Sequence, residues 1–532
     1  MLKINVIHPF LFSIFPVLLI YSQNINLLPP EELFFPIIII TGFSLLSWQI
    51  IKYVSGNTFK AGLIVSLFLV IFFSYGHIYN LLTDFTIFDY EIGRHRFLLI
   101  PVFISLVAGI FFLIKTSRTL NNLSSIANVI SITAVVIIIG NIGLDISQEN
   151  YFDSEKMSVN ERFLGVGAHR DSFFEIFDQE SKQDSLSSFS IEISDKPDIY
   201  YIILDEYGSK NALKKFFNYD NTRFLSILEQ KGFFIFDPSF TNYPTTVQSL
   251  GSSLNMDYIN DLTHQVGKES KNYHLLNKVL SENIVMKKLK ENNFQIINMG
   301  ALWGPNNSFK MSDADLCEFK EFNRDSLMRE LLQTTMLSYV QERLVEEGRR
   351  DRVLCVFDEL PKLDENFSGS KFVFAHIMLP HAPYIFGPNG ESVIPGTSLD
   401  GQSWDTRKAH IDQLNFANKK IIILIDELLS KNKNSIIIIQ GDTGSSFSSD
   451  WKNPSDDVII ERMSNLNAIY FPNNEYQSFS GKNTPVNTFR IIFNEFFSEN
   501  YKPLEDKMYW STSDSPYSHS DVTSIIEKNY RN

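Results

Sequence analysis

The chain has 532 residues, of which 44% are hydrophobic and 20% charged, and this length allows two or three domains. Residues 1–145 hold 7 Lys and Arg against 6 Asp and Glu, whereas the remaining residues hold 40 against 55, so a nearly neutral part is joined to an acidic one. The acidic part argues against nucleic-acid binding, which needs a basic face, and its many aromatic residues exclude a disordered acidic tail.

Residues 1–145 contain the long apolar runs that are typical of membrane-spanning helices. A helix needs about 20 apolar residues, at about 1.5 Å each, to cross roughly 30 Å of hydrocarbon. Prolines and Asn24 interrupt the first run, which lacks the small-residue cleavage site of a signal peptide. The sequence therefore predicts a transmembrane helical domain over residues 1–145, with about five spans at residues 8–28, 33–51, 61–82, 97–114 and 126–144.

The charges beside these runs predict the orientation of the helices, because positive residues mark the cytoplasmic side of a membrane. If the N-terminus is cytoplasmic, that side carries Lys3, Lys52, Lys60, Lys115 and Arg118. The opposite loops are mainly acidic, with Arg94 and Arg96 as exceptions. An odd number of spans then places the residues after 145 outside the cytoplasm. The prediction is a multi-pass protein of the cell (inner) membrane with an extracytoplasmic C-terminal domain.

The rest of the chain divides into a polar juxtamembrane linker, residues 146–197, and a folded domain, residues 198–532. In that domain short β-branched or aromatic runs alternate with amphipathic segments, as in a mostly parallel sheet with crossover helices. Because the strands are apolar throughout, helices should cover both faces of a doubly wound α/β sheet. The predicted strands are 199–204, 233–236, 294–298, 372–378, 435–440 and 466–471, and the predicted helices are 221–230, 246–254, 408–429 and 485–497.

The two cysteines, Cys317 and Cys355, exclude a disulfide-dense scaffold and a four-cysteine zinc site. Two idle thiols and a single disulfide are both compatible with the sequence.

Polar side chains follow several of the predicted strands, at the edge of the sheet where ligands bind in such folds. Asp205 and Asp442 each end an apolar strand, where an isolated carboxylate is costly to desolvate unless a cation or hydrogen bonds compensate. A shared divalent metal would satisfy both carboxylates. The alternative is that each one caps the following helix or turn.

Hydroxyl and imidazole groups occupy the other two strand ends. Thr245 and Thr246 precede a predicted helix, where a metal-activated hydroxyl could attack phosphorus, although either could simply cap the helix. His381 lies in a turn and could donate a proton or hydrogen bond to a phosphoryl oxygen or leaving alcohol, unless it is an ordinary surface residue. His376 lies inside an apolar strand and is expected to be a core histidine. Arg462 and Arg490 could bind an anion, but surface salt bridges are expected for both.

The segments LDEYG, NYPTT with SLGSSLN, MLPHAPYIF, GDTG, ERMSNLNAIYFP and PVNTFR, in this order, resemble the sulfatase-like branch of the alkaline phosphatase superfamily. The resemblance is greatest to membrane-anchored lipoteichoic-acid-synthase-like and phosphoethanolamine-transferase-like proteins, and it covers both halves of the chain. It implies an alkaline-phosphatase-like domain with one divalent metal (Mn, Mg or Zn). Asp205, Thr246 and Asp442 would hold the metal. Thr246 rather than Thr245 would be the nucleophile, and His381 and Thr245 would contact the substrate.

One position departs from the family pattern. The chain has Asp442-Thr443-Gly444 where the family usually has Asp-His-Gly, so Thr443 would replace an imidazole as metal ligand. A hydroxyl ligand would shift the preference from zinc toward magnesium or manganese and lower the affinity, or the site would hold no metal. The chain also lacks the Cys-x-Pro-x-Arg signature of true sulfatases, which disfavours sulfate-ester hydrolysis.

These features predict a membrane-bound phosphotransferase that moves a phospho-alcohol group through a threonine intermediate. A membrane phospholipid is the expected donor, because a site outside the cytoplasm has no supply of ATP, and an envelope glycan or lipid is the expected acceptor. Two alternatives remain open. The acceptor could be water, which would make the protein a phosphodiesterase or phosphatase, or a metal-impaired domain could serve only for binding.

Overall fold

The computed structural model describes residues 6–25, 30–82, 86–87, 90–91, 95–116, 119–163, 196–300, 309–317, 326–393, 405–447, 450–481 and 484–530. The chain divides into two compact units. One contains residues 1–168 and 320–347, and the other contains residues 169–319 and 348–532. Residues 320–347 thus group with the N-terminal helices although they lie far along the chain. Most of the predicted linker, residues 146–197, falls outside the described residues.

The first unit is a bundle of apolar helices, followed late in the sequence by one short amphipathic helix. Four helices of the described chain are long and apolar enough to cross a membrane, which confirms the predicted transmembrane domain. The first predicted span is the shorter helix His8–Gln23, about 24 Å long, because the chain leaves the helical path at Asn24. The helices of this unit are His8–Gln23, Phe34–Ser55, Thr58–Leu82, His95–Lys115, Asn121–Phe163 and Ser326–Gln333.

The second unit is built on a seven-stranded sheet. A separate two-stranded hairpin belongs to the first unit, between two of its helices in the sequence. In chain order the strands are β1 Thr86–Ile87 and β2 Tyr90–Glu91 (the hairpin), β3 Asp198–Leu204, β4 Phe234–Ile235, β5 Gln295–Met299, β6 Ala314–Asp315, β7 Lys371–Ile377, β8 Ser435–Gly441, β9 Asn467–Tyr470, β10 Tyr509–Thr512 and β11 Ser515–Asp521. The order in the large sheet is β4-β9-β8-β3-β7-β5-β6. Its strands are parallel except β9, which runs antiparallel to both of its neighbours. The mostly parallel sheet predicted from the sequence is confirmed.

Alternate residues of the central strand β3 pack into two separate cores, one on each face of the sheet. Tyr200 and Ile202 belong to one core, and Tyr201 and Ile203 belong to the other. All seven residues of β3 are buried, which is why the strand is apolar without alternation. Helices cover both faces, as predicted. The helix Thr406–Lys431 covers the first face, and Thr488–Phe497 covers the second.

The helices predicted in this unit are present with slightly shifted ends. The segment predicted as 485–497 begins with the 3₁₀ turn Pro485–Asn487 before the α-helix starts. The α-helices of this part of the chain are Lys210–Phe217, Thr222–Gln230, Thr246–Asn255, Leu262–Val266, His274–Ser281, Ile284–Glu291, Ser338–Glu359, Leu363–Asn366, Thr406–Lys431, Asp456–Met463, Thr488–Phe497 and Thr523–Tyr530. The first ten residues of Ser338–Glu359 group with the first unit.

Cys317 and Cys355 form a disulfide within the α/β unit, which settles the choice that the sequence left open. The bond joins the segment after β6 to the helix Ser338–Glu359. Disulfides persist mainly in oxidising compartments, so this bond agrees with a domain outside the cytoplasm.

Candidate active site

Three buried side chains meet at the carboxyl ends of the adjacent strands β8, β3 and β7. Asp205, His376 and Asp442 each offer one ligand atom, and these atoms all lie within 4.8 Å of one another. The side chains of Asp205 and His376 are only 6% and 1% exposed, and Nε2 of His376 lies 3.1 Å from Oδ2 of Asp205. The strand order brings them together, because β3 pairs with both β8 and β7.

His376 is the member of this group that the sequence analysis assigned to the core. It is buried, as expected, but its ring faces a carboxylate rather than only apolar neighbours. The register pairs His376 with Ile203, two residues before Asp205, so the imidazole lies beside the end of β3. One feature of the sequence could have indicated this role for His376: it is a polar residue near the end of an otherwise apolar strand.

The two threonines have different partners. Thr246 is the first residue of the helix Thr246–Asn255, and its Oγ1 donates a hydrogen bond of 2.6 Å to Oδ2 of Asp442. Thr245 precedes the helix in an extended conformation, and its hydroxyl donates instead to Oε1 of Gln248 at 2.7 Å. The geometry therefore directs Thr246, and not Thr245, toward the buried acidic group.

The helix that carries Thr246 is attached to the Asp442 turn at a second point. Ser249, one helical turn beyond Thr246, donates its hydroxyl to the main-chain oxygen of Asp442 at 2.6 Å. The other carboxylate oxygen of Asp442, Oδ1, accepts hydrogen bonds from the backbone N–H groups of Glu206 and Thr443 at 2.9 and 2.8 Å. Because Oδ1 is occupied by these donors, Oδ2 is the oxygen that faces Thr246.

Thr443, the residue after Asp442, is fully buried beside the acidic group. Its hydroxyl lies 3.5 Å from Oδ1 of Asp442. The next residue must be glycine, since a Cβ on Gly444 would lie 2.1 Å from the carbonyl oxygen of Glu461. The imidazole that this turn lacks is present in the same group through His376, which comes from a different strand.

Arg462 braces the loops around the site, which corrects its interpretation as a surface salt bridge. Its Nη1 donates to Oε1 of Glu206 at 2.5 Å and to the carbonyl of Gly444 at 2.8 Å, and its Nε donates to the carbonyl of Pro244 at 2.7 Å. The residue is only 7% exposed. One guanidinium thus connects the loops that carry Asp205, Thr246 and Asp442.

Arg490 is also buried rather than on the surface, but it lies away from this site. It donates to the carbonyl oxygens of Met256 and Lys502 at 2.6 and 2.9 Å. The burial of Arg462 and Arg490 could not be predicted from the neighbouring sequence, because both bond to residues distant along the chain.

His381 lies at the mouth of the site, with its side chain 31% exposed and its Nε2 3.8 Å from Oε1 of Glu206. Its backbone N–H donates to the carbonyl of Asp205 at 3.1 Å. Gln413, on the helix Thr406–Lys431, holds the same turn by donating to the carbonyl of His381 at 2.8 Å. The predicted catalytic histidine is therefore positioned next to the buried acidic group.

The charges of the site shift the pKa values of its members in opposite directions. Burial raises the pKa of Asp442, and the nearby charge of Asp205 raises it further. Burial would also raise the pKa of Asp205, but the charge of His381 and the hydrogen bond from His376 outweigh it and lower that pKa. Burial lowers the pKa of His381, but the carboxylates of Asp205 and Glu206 outweigh it and raise that pKa. Two carboxylates so close together need a proton or a cation between them.

A cavity of about 150 Å³ adjoins His376 and His381. Arg349, Arg352, Val353 and Val356 lie on one face of the helix Ser338–Glu359 and form one wall. A cavity of about this size holds a single group no larger than a benzene ring. The lining combines the two arginines with apolar side chains, which suits an acidic group that has an apolar neighbour.

No family model matches the chain, and no curated protein matches it. Three solved structures show the range of similar folds. The periplasmic domain of EptC from Escherichia coli shares 13% identity, covering 63% of this chain and 95% of that one, with a TM-score of 0.41. The lipooligosaccharide phosphoethanolamine transferase EptA from Neisseria meningitidis, an integral membrane protein, shares 12% identity, covering 92% of this chain and 94% of that one, with a TM-score of 0.35. A putative sulfatase from Bacteroides thetaiotaomicron shares 11% sequence identity, covering 60% of this chain and 78% of that one, with a TM-score of 0.38.

These identities and TM-scores are too low to transfer a substrate or a reaction to this chain, so its function must be inferred from the site itself. The solved structures that are similar to the chain include phosphoethanolamine transferases and sulfatases, which are the classes of protein that the sequence motifs resemble.

Proposed function

We propose that the protein is a membrane-anchored, metal-dependent phosphotransferase that moves a phospho-alcohol group from a phospholipid to an envelope glycan or lipid. The observation that carries this proposal is the position of Thr246. Its hydroxyl donates to Asp442, which belongs to a buried group of two carboxylates and one imidazole. A hydroxyl at the start of a helix, beside such a group, has the surroundings of an activated nucleophile.

The residues present fit a divalent metal. Asp205, His376 and Asp442 would hold it with two carboxylate oxygens and one ring nitrogen, and the hydroxyl of Thr246 would complete the group, with that of Thr443 adjacent. Oxygen and imidazole ligands suit zinc and manganese. When bound, the metal would neutralise the two carboxylates and polarise the oxygens of a phosphoryl group.

In the first half-reaction the oxygen of Thr246 attacks phosphorus, so that a phosphorus–threonine bond forms and the bond to the lipid alcohol breaks. The hydroxyl proton of Thr246 leaves to water, because Asp442, its hydrogen-bond acceptor, is assigned to holding the metal. His381, whose pKa the carboxylates of Asp205 and Glu206 raise, gives a proton to the departing alcohol. In the second half-reaction the acceptor hydroxyl attacks phosphorus and returns a proton to His381, while the phosphorus–threonine bond breaks and the oxygen of Thr246 takes a proton from water.

The membrane helices and the disulfide support a phospholipid donor. Helices that span a membrane keep the enzyme at the source of lipid headgroups, and a disulfide is typical of an oxidising compartment outside the cytoplasm. The cavity beside His376 would take one acidic group of a substrate against Arg349 and Arg352.

The test uses the full-length protein in lipid nanodiscs with manganese or zinc and a phospholipid labelled in its headgroup. Intact-mass measurement should detect one phospho-headgroup adduct on the native protein. Thr246→Ala should abolish the adduct, while the control Thr222→Ala, at an exposed threonine whose hydroxyl donates to Asp220, should retain it. An adduct that persists in Thr246→Ala, or an absence of any adduct from the native protein with metal bound, would contradict the proposal. Release of free headgroup phosphate without transfer would identify a hydrolase instead.

A further inference from the structure

Residues 326–340, here called the returning segment, pack against the membrane helices although the sequence places them between strands of the α/β unit. The helix Ser326–Gln333 buries three apolar side chains in the core of the bundle. This core contains Val17, Ile20, Tyr21, Ile40, Val65, Leu69, Leu327, Met328 and Leu331. The contact is therefore a packed interface inside the first unit.

Backbone hydrogen bonds also hold the returning segment to the span Thr58–Leu82. The N–H of Gly76 donates to the carbonyl of Thr334 at 2.8 Å, and the N–H of Met336 donates to the carbonyl of Phe72 at 3.1 Å. This approach requires glycine, because a Cβ on Gly76 would lie 2.2 Å from the carbonyl oxygen of Gln333. At the other end of the segment, Glu32 accepts the N–H of Leu327 at 2.9 Å, near the start of the short helix.

The groups that the returning segment contacts lie at one end of the bundle. Gly76 is in the last two turns of its helix, so it lies about 9 Å from the helix end. Glu32 lies in the turn before the span that starts at Phe34, and His95, whose ring is 5.6 Å from that of Tyr339, begins another helix. In a bilayer spanned by these helices, a segment at that distance from their ends would lie near the level where the hydrocarbon meets the headgroups.

Three apolar side chains at the end of the returning segment are partly exposed. Leu337, Tyr339 and Val340 are 47%, 39% and 51% exposed, whereas Ser338 between them is buried. Such a group would be unfavourable in water, and the membrane helices of the same unit also expose apolar side chains, such as Phe103 and Ile104. Tyrosine is enriched at this level of a membrane, because its ring is apolar and its hydroxyl is polar.

We infer that the returning segment is a membrane-interface element and that its Leu337, Tyr339 and Val340 insert into the lipid at the boundary of headgroups and acyl chains. The partner is the lipid bilayer itself, on the side where Glu32 and His95 lie. This inference is independent of the reaction at Thr246. Together with the buried side, it gives the segment two apolar faces, one for the helices and one for lipid.

The experiment places an environment-sensitive dye on single cysteines in the full-length protein, whose two native cysteines are joined in a disulfide. The variants are Leu337→Cys and Val340→Cys, and the control is Ile423→Cys, an apolar residue of the α/β unit that is 53% exposed. In vesicles of phosphatidylethanolamine and phosphatidylglycerol, lipids with a quencher on the acyl chain should remove most of the fluorescence at 337 and 340 and little at 423. Equal and weak quenching at all three sites would overturn the inference.

Two further results would show whether lipid or protein covers the exposed apolar side chains of the returning segment. A blue-shifted emission at 337 and 340 that lipid quenchers leave unchanged would mean that protein, such as a second copy of the chain, covers the group, and this would also overturn the inference. Gly76→Ala should displace the segment and reduce quenching at 337 and 340. Gly140→Ala is the matched control, because a Cβ there meets nothing within 4 Å. No change in Gly76→Ala would contradict the proposed attachment.

Discussion

Nε2 of His376 lies 3.1 Å from Oδ2 of Asp205, so the strand next to the central strand supplies an imidazole to the buried acidic group. The Asp442-Thr443-Gly444 turn supplies a carboxylate to this group and no ring nitrogen. Among the described residues, the imidazole of the group therefore comes from β7.

His376→Asn should lower metal affinity by at least about 10- to 100-fold, the loss found when only a supporting partner of a ligand is removed. Elemental analysis of the purified protein measures the effect. Thr443→His in the His376→Asn background should restore part of the bound metal, since it returns an imidazole to the same group. His519→Asn, outside the group, should keep the native content. Full occupancy in His376→Asn would show that this ring is not a ligand.

Arg462→Met should destabilise the folded protein by up to about 3–5 kcal/mol, because the buried carboxylate of Glu206 loses its guanidinium partner and keeps only the weaker contacts with Ser446 and His381. Adding Glu206→Gln should recover part of this loss, since the uncompensated charge is then removed. Chemical denaturation of the full-length protein in detergent, followed by the fluorescence of its tryptophans, gives the comparison. A double variant that is less stable than Arg462→Met alone would refute the buried ion pair as the cause.

Arg349→Gln and Arg352→Gln should raise KM for the phospholipid or its acceptor by about 10-fold or more each, because each removes a charge-assisted hydrogen bond to an acidic group, of about 1.5–3 kcal/mol. Bound metal should stay unchanged. Arg407→Gln, which alters an exposed arginine that donates to the carbonyl of Phe216, serves as the control. Steady-state kinetics in nanodiscs separate the outcomes. An unchanged KM in both cavity variants would remove the cavity from substrate binding.

The buried ring of His410 should lower the unfolding free energy of the protein in acid. It is fully buried, stacks on Phe217 at 4.7 Å, and has no hydrogen-bond partner on either ring nitrogen in the described part of the chain. Burial, with a further contribution from the charge of His381, lowers the pKa of His410 to about 3. Between about pH 3 and pH 6.5 the folded protein therefore binds fewer protons here than the unfolded chain, so its stability falls as the pH falls through this range.

His410→Phe keeps the ring stack and removes this titration. Between pH 7 and pH 5 the native protein should lose about 2 kcal/mol more unfolding free energy than the variant does. Chemical denaturation of both proteins at pH 7 and pH 5 measures the unfolding free energies. The contributions of the other titrating groups largely cancel, because the two proteins share them. Parallel pH profiles for the two proteins would contradict the assignment.

Most of the fold could be predicted from local patterns. The apolar runs predicted the membrane helices, and the fully apolar strands predicted a sheet covered on both faces, because burial on each side removes the alternation of polar and apolar residues. The strand ends then indicated Asp205 and Asp442, and the residues before a helix indicated Thr246. In each case the signal lies within a few residues of the position concerned.

The choices that depend on distant contacts were decided by the tertiary structure. His376 looks like any histidine in an apolar strand until the register sets it beside Asp205, and Arg462 looks like a surface arginine until three loops close around it. Likewise, Leu331 returns to the membrane helices because Gly76 permits a close backbone approach. Sequence patterns report which residues are apolar or polar along one segment, whereas strand pairing and loop closure between distant segments decide which of the polar ones meet.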